Sequence, residues 1–134
     1  MSNRSDRHAI GVATLNASTG SRRHAVVECP KGIAPGFAGW VVAFANGEVM
    51  AGPGLDKRAR QIAAITALAA LCIATARFKA HIDGVSKVGC TPRQIAEAIR
   101  QMAADAGFAA AIDGLAVARA AFAAPALSAL QGAE

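Results

Sequence analysis

The stretch KAHIDGVSKVGCTPRQI, residues 79–95, decides the fold, because it contains the end of one predicted helix and the start of the next. We expect the first of these helices to run from Thr75 to Val88, with Gly89 as its left-handed stop, since glycine adopts that conformation without a steric penalty. The segment Thr91–Gln94 combines a capping box with proline at the first helical position. Two consecutive helices joined by a tight turn are therefore predicted.

Further helices are predicted on both sides of this stretch. Asp56 is a good N-cap for a helix that begins at Lys57, and Gly107 should separate the last two helices of the chain. No strand pattern or internal repeat stands out, so the predicted fold class is all-α. The helices expected from Lys57 onward span residues 57–71, 75–88, 92–106 and 109–123.

The first part of the chain gives weaker signals. An apolar run that holds Trp40 and Phe44 indicates a short buried helix over residues 38–45, and this helix should stop near Asn46-Gly47. Residues 1–32 show no sustained hydrophobic period. We interpret them as a flexible or partner-draped N-terminal arm, and residues 33–134 as a single helical domain.

Composition limits the classes of protein that the chain can belong to. Of its 134 residues, 54% are hydrophobic, which excludes a chain that is disordered throughout. Much of that share is alanine, which buries little area per residue, so we expect a homo-oligomer. The net charge of +5 comes with few aromatic residues and no basic run of five. This pattern does not favour nucleic-acid binding and suits a small anionic ligand.

The cysteines and the apolar segments exclude several further classes. Cys29, Cys72 and Cys90 are odd in number and far apart, which argues against a disulfide framework and against a zinc site. Cys72 is expected to be an inert buried thiol, whereas Cys90 lies in a turn where it can be exposed. The N-terminus lacks the apolar stretch of a signal peptide, and the longest uncharged run, 61–76, is shorter than the ~20 residues of a membrane span. We predict a cytoplasmic protein with no membrane association.

Basic residues at the start of the second predicted helix form one candidate site. Lys57, Arg58 and Arg60 lie in its first turn, where they oppose the helix dipole. They form either a solvated face or an anion site, at which backbone N–H and guanidinium groups converge on a carboxylate. Glu48, which follows Asn46-Gly47, is either a surface carboxylate or a functional one.

A lone histidine is the second candidate. His81 lies in the middle of a helix, one turn after Arg77, and is either a structural residue or a group that transfers protons near neutral pH. If the helices over 57–71 and 75–88 form an antiparallel hairpin, Gln61 approaches His81. Gln61 can form a hydrogen bond with the histidine but cannot act as a base at neutral pH.

The motifs of residues 40–122, in their order along the chain, resemble those of the carboxymuconolactone decarboxylase family. The matching pieces are Gly47-Glu-Val49, Pro53-Gly-Leu-Asp-Lys-Arg-Ala-Arg60, Leu68-Ala-Ala-Leu71, Lys79-Ala-His81-Ile82, Gly89-Cys-Thr-Pro-Arg-Gln-Ile95, Gly107 and Ala116-Val-Ala-Arg119. The resemblance implies an all-helical, alkylhydroperoxidase D-like fold with a central antiparallel helix hairpin. It also implies assembly into trimers or hexamers.

The same resemblance implies a chemistry. The family's namesake reaction removes CO₂ from a carboxylated muconolactone, so the chain is expected to be a carboxy-lyase that acts on a small anionic lactone or related acid. No metal and no organic cofactor is expected. The implied catalytic residues are His81 and Glu48. The implied substrate-binding residues are Arg58, Arg60, Gln61 and Arg77.

The chain also departs from the family pattern. A related alkylhydroperoxidase D-like branch carries a Cys-x-x-Cys motif near the positions of Ala74 and Arg77, so the resemblance here is to the branch without that motif. Gln61 stands where that branch has a glutamate. Ala109 and Ile112 stand where decarboxylases tend to have proline and asparagine. The alternatives are therefore an isomerase, cyclase or hydratase of a biosynthetic pathway, or a ligand-binding paralogue without catalysis.

Overall fold

The computed structural model of the chain describes residues 3–19, 32–73 and 76–124, and every regular element within these ranges is a helix. The predicted all-α fold class is confirmed. The elements in chain order are α1 (Arg4–Thr19), α2 (Phe37–Trp40), a π-helix (Val41–Met50), α3 (Lys57–Ala70), α4 (Ala76–Lys87), α5 (Pro92–Asp105) and α6 (Phe108–Phe122). No helix in the described ranges is long and apolar enough to cross a membrane. The described residues form two compact units, one within residues 1–57 and the other within 58–134.

In the first unit, α1 packs against the π-helix through glycines. A side chain on Gly11 would collide with the main-chain carbonyl group of Val42, and a side chain on Gly47 would collide with the carbonyl group of Arg7. Because glycine has no Cβ, the two backbones approach each other at these points more closely than any other residue would allow.

The predicted helix stop at Asn46-Gly47 is wrong. Helix α2 continues directly into the π-helix, which runs to Met50. The side-chain nitrogen of Asn46 donates a hydrogen bond to the carbonyl oxygen of Val41 at 2.9 Å, and Gly47 is the point of contact with α1. The residues that resemble a break in the sequence therefore support this element instead of ending it.

The predicted burial of Trp40 and Phe44 is also wrong. Each of these residues is 62% exposed, because the buried side of the segment is the one that carries Val42 and Gly47. Phe37 lies beside Trp40, with the ring centroids 6.0 Å apart. Aromatic residues are thus concentrated on the open side of this segment.

Residues 1–32, predicted as an arm, include helix α1, which the sequence pattern did not predict. Gly11 and Leu15 are buried four residues apart in it, which is too short a pattern to indicate a helix in an otherwise polar segment. Residues 20–31 lie outside the described residues. That the segment covers a partner subunit stays a prediction, as does a single domain over 33–134.

The second unit contains helices α3 to α6 around one apolar core. Its largest fully buried side chains are Ile65, Phe78, Ile82, Val85, Ile95 and Ile99. A Cβ on Gly114 of α6 would lie 2.8 Å from Cγ2 of Ile99 and 3.2 Å from Cβ of Ala69, so glycine lets α6 pack closely on α5 and α3. The predicted helices over this range are confirmed, with ends that differ by a few residues at most.

The predicted signals between α4 and α5 are confirmed. Gly89 has a φ of 91°, and the N–H groups of Gly89 and Cys90 donate to carbonyl oxygens in the last turn of α4, at 3.1 and 3.2 Å. Thr91 Oγ1 accepts a hydrogen bond from the N–H of Gln94 at 3.2 Å, and the side-chain oxygen of Gln94 accepts one from the N–H of Thr91 at 3.0 Å. The turn between α4, which contains His81, and α5 is therefore fixed by hydrogen bonds at both ends.

The expectation of a buried Cys72 is wrong. Helix α3 ends before this residue, and Cys72 adopts a left-handed conformation with a φ of 54° and an exposed thiol. Its N–H donates to the carbonyl oxygen of Ala69, and the N–H of Ile73 donates to that of Leu68, both at 3.0 Å. This is the helix-ending motif that usually contains glycine. Cys90, in contrast, is only 4% exposed.

Candidate functional site

Helices α3 and α4 bring Gln61 and His81 together. Nδ1 of His81 lies 3.0 Å from Oε1 of Gln61. Gln61 is only 3% exposed, because it precedes Ile65 and Ala69 by one and two turns on the buried side of α3. The imidazole of His81 is partly buried. The expected approach of Gln61 to His81 is confirmed.

The surroundings of His81 disfavour its charged form. Burial of the imidazole lowers the pKa of His81 below its ordinary value of 6.5, and the positive charge of Arg77 lowers it further. The imidazole is therefore neutral at pH 7 in the protein without ligand. A neutral imidazole accepts a proton readily and becomes an acid once it has done so.

The predicted arginines lie in different surroundings. Arg77 is exposed and stands one turn before His81, close enough to act on its charge. Arg58 is also exposed at the start of α3, but its Nε donates a hydrogen bond to Sγ of Cys90 at 3.2 Å. Arg60 is half-buried on the same helix. The contact between Arg58 and Cys90 could not be predicted from the sequence, because 32 residues separate them.

Glu48 lies in the first unit, on the π-helix. Its Oε2 is 2.9 Å from Nη1 of Arg7, and both side chains are more than a third exposed. The ion pair stands at a cleft lined by Arg7, Ile10, Gly47, Glu48, Ala51, Gly52 and Pro53. Arg7 was missed in the sequence because helix α1 was not predicted. Glu48 thus belongs to one compact unit, and Gln61 and His81 to the other.

The chemistry open to the second unit is proton transfer. It pairs the partly buried imidazole of His81 with the buried neutral amide of Gln61, beside a guanidinium that can attract an anion. Within the described ranges, no group of three or more His, Cys, Asp and Glu side chains could hold a metal ion.

Within the described residues, the chain is thus an all-helical protein whose second unit holds a partly buried imidazole beside a guanidinium. More particularly, the chain belongs to the carboxymuconolactone decarboxylase family, whose model matches residues 35–120. The match covers most of the chain and contains every predicted site residue, whereas helix α1 lies outside it. A search among curated proteins found no match.

Proposed function

We propose that the protein is a cofactor-free carboxy-lyase that removes CO₂ from a small anionic lactone or a related carboxylic acid. The observation that carries this proposal is the pair of Gln61 and His81, a hydrogen-bonded imidazole in partly buried surroundings beside Arg77. Membership of the family supports the same chemistry, since the family takes its name from such a decarboxylation.

The proposed reaction has two steps. In the first, the bond between a substrate carbon and its carboxylate breaks, CO₂ leaves, and the electron pair of that bond moves into the conjugated lactone carbonyl to give an enolate. In the second, the enolate takes a proton at carbon, and its electron pair forms the new C–H bond. His81 in its charged form is the proposed donor of this proton, and water returns a proton to the imidazole.

Charge couples substrate binding to this proton. His81 is neutral in the protein without ligand, because burial and Arg77 lower its pKa. A bound carboxylate favours the imidazolium, so an anionic substrate should bind together with a proton from solvent. The proton that the enolate needs is then already on the enzyme when CO₂ leaves.

The arginines are proposed to hold the carboxylates of the substrate. Arg77 acts beside His81, and Arg60 lies on the same helix as Gln61. Arg58 contacts Cys90 through Nε, so the groups proposed to bind a carboxylate are its two terminal nitrogens. Glu48 remains a proposed catalytic residue on the strength of the family resemblance, with its carboxylate held by Arg7.

The direct test is the stoichiometry of CO₂ release from a carboxylated muconolactone by the purified protein, with and without a metal chelator. One CO₂ per substrate consumed, unchanged by the chelator, supports the proposal. Conversion to a product of unchanged mass contradicts it and supports an isomerase. Binding without any conversion contradicts it and supports a ligand-binding paralogue.

The neutral state of His81 favours a second candidate, an isomerase or another enzyme, such as a cyclase or hydratase, that uses His81 as a base. In the isomerase reaction the imidazole takes a proton from a carbon next to a carbonyl, the C–H electron pair forms an enolate, and the same proton returns at another carbon. The pH dependence separates the two. For the lyase, kcat falls as pH rises through the pKa of His81 in the complex, whereas for the isomerase kcat/KM rises with pH through the pKa of His81 in the free protein.

A further inference from the structure

We propose that Gln61 is a positioning residue that keeps the proton of neutral His81 on Nδ1, so that Nε2 is the single atom at which the imidazole exchanges a proton with the ligand. Gln61 holds the imidazole in this way in the protein without substrate. The role of Nε2 toward the ligand rests on the proposed function, because it requires that the ligand reaches this imidazole.

The hydrogen bond itself determines where the proton lies. Oε1 of Gln61 is 3.0 Å from Nδ1 of His81. An amide oxygen has lone pairs and no hydrogen, so it can only accept, and the bond requires a hydrogen on Nδ1. A neutral imidazole has one N–H group. Nε2 of His81 therefore carries a lone pair in the resting protein.

The burial of Gln61 keeps this arrangement in place. The side chain is only 3% exposed and stands one turn before Ile65, which is fully buried. Water cannot readily replace the imidazole as the partner of such an amide, so rotation of the amide away from His81 would leave a buried polar group unpaired. An exposed glutamine would impose no such preference on its neighbour.

The neutrality of Gln61 matters as much as its geometry. A carboxylate at this position would stabilise the imidazolium, whereas an amide leaves the imidazole free to lose its proton. The charged group that acts on His81 is Arg77 on its own helix, and Gln61 is its neutral neighbour from α3.

The lone pair on Nε2 restricts the class of ligand. The part of the ligand that meets Nε2 of the neutral imidazole must offer a hydrogen-bond donor, such as a hydroxyl or N–H group, or an acidic C–H, since two acceptors cannot share a hydrogen bond. Anionic groups of the ligand should instead meet the guanidinium groups. A ligand that places a carboxylate at Nε2 should bind only with the uptake of one proton, and its affinity should fall as pH rises.

The test is a ¹⁵N–¹H multiple-bond NMR spectrum of the whole protein labelled at its histidines, recorded without ligand. The chain has three histidines, and the signals of His81 are those that vanish in His81→Ala. At a pH above the titration of His81, we expect Nδ1 to show the shift of a protonated nitrogen and Nε2 that of a nitrogen with a lone pair. The reverse pattern in the wild type would overturn the proposal.

Two variants test the role of Gln61. In Gln61→Glu, the midpoint of the His81 titration should move to higher pH, because the carboxylate favours the imidazolium. In Gln61→Met, which has similar size but no comparable acceptor, the preference for Nδ1–H should be lost. Wild-type spectra in both variants would overturn the proposal. Should Gln61→Met fail to fold, Gln61→Glu and the wild type still decide. If the Nδ1–H tautomer is observed but the protein releases no CO₂, this inference holds and the proposed lyase activity is rejected.

Discussion

At the scale of single residues, two neighbours of His81 do different things to it. Gln61 orients the imidazole through a hydrogen bond, and Arg77 acts on its charge without one. The pairing with Gln61 could be predicted from the sequence, because both residues lie within consecutive helices. The direction of the pKa shift could not, since its larger cause is burial, which depends on how the side chains of several helices pack.

The lowered pKa of His81 predicts how stability depends on pH. The folded protein has a pKa below the value of 6.5 for the unfolded chain, so the unfolded chain binds more protons between these values. The stabilisation from neutral His81 is complete above pH 6.5 and is lost as pH falls through 6.5 towards the lowered pKa. Arg77→Gln removes the smaller of the two causes, so this variant should lose less unfolding free energy than the wild type between pH 7 and pH 5.

Chemical denaturation at a series of pH values measures this difference. Arg93→Gln, which replaces an exposed arginine on α5, is the matched control and should follow the wild-type curve. Carboxylates titrate in all three proteins, so only the difference between the curves is informative. Parallel curves for Arg77→Gln and the wild type would show that Arg77 does not act on His81.

At the scale of elements, the signals that could be read from the sequence were local ones. Gly89, the Thr91 capping box and Gly107 mark ends and starts of helices within a few residues, and the structure confirms them. Helix α1 and the continuation of the π-helix beyond Asn46-Gly47 could not be predicted, because these segments pack through backbone contacts such as that between Gly11 and Val42, 31 positions apart along the chain. Such backbone contacts produce no hydrophobic periodicity in the sequence of either segment.

The left-handed stop after α4 can be tested with alanine. Gly89 has a φ of 91° and open space where a Cβ would lie, so Gly89→Ala should destabilise the protein through backbone strain alone, by about 1 kcal/mol. Gly54 has equally open space without a positive φ, and Gly54→Ala should be neutral or slightly stabilising. Thermal unfolding of both variants measures this, and equal midpoints would contradict the account of the turn.

The glycine contact between α1 and the π-helix predicts a different kind of cost. In Gly11→Ala the new methyl group meets the carbonyl group of Val42, so the helices must separate, with a loss of about 1–3 kcal/mol. Gly39→Ala, in open space within α2, is the control and should not destabilise. Hydrogen exchange measures this loss as reduced protection of the amides in α1. Unchanged protection in Gly11→Ala would mean that α1 does not pack as described.

At the scale of the whole molecule, many large apolar side chains among the described residues are exposed in the single chain. The large exposed ones include Phe37, Trp40, Phe44, Phe108, Ile112 and Leu115. The last three follow one another along α6 at spacings of four and three residues, which places them on one side of that helix. Together with the alanine-rich composition, this exposure supports our proposal of a homo-oligomer.

We expect a trimer or a hexamer in solution. Light scattering at micromolar concentration should give the mass of one of these assemblies. The single tryptophan, Trp40, is 62% exposed in the isolated chain, so its fluorescence should shift to longer wavelength on dilution if it lies at a contact between subunits. A stable monomer at micromolar concentration would contradict the proposal.

The most direct test of the central claim, that His81 carries the proton of a decarboxylation, is the kcat of His81→Ala on a carboxylated muconolactone or related acid that the wild type decarboxylates. The matched control is His8→Ala, which replaces an exposed histidine of α1. We predict that His81→Ala lowers kcat by roughly 10²–10⁴ while its melting curve and assembly state are kept, and that His8→Ala does not. Release of CO₂ by His81→Ala at the wild-type rate would contradict the account and leave His81 a structural residue.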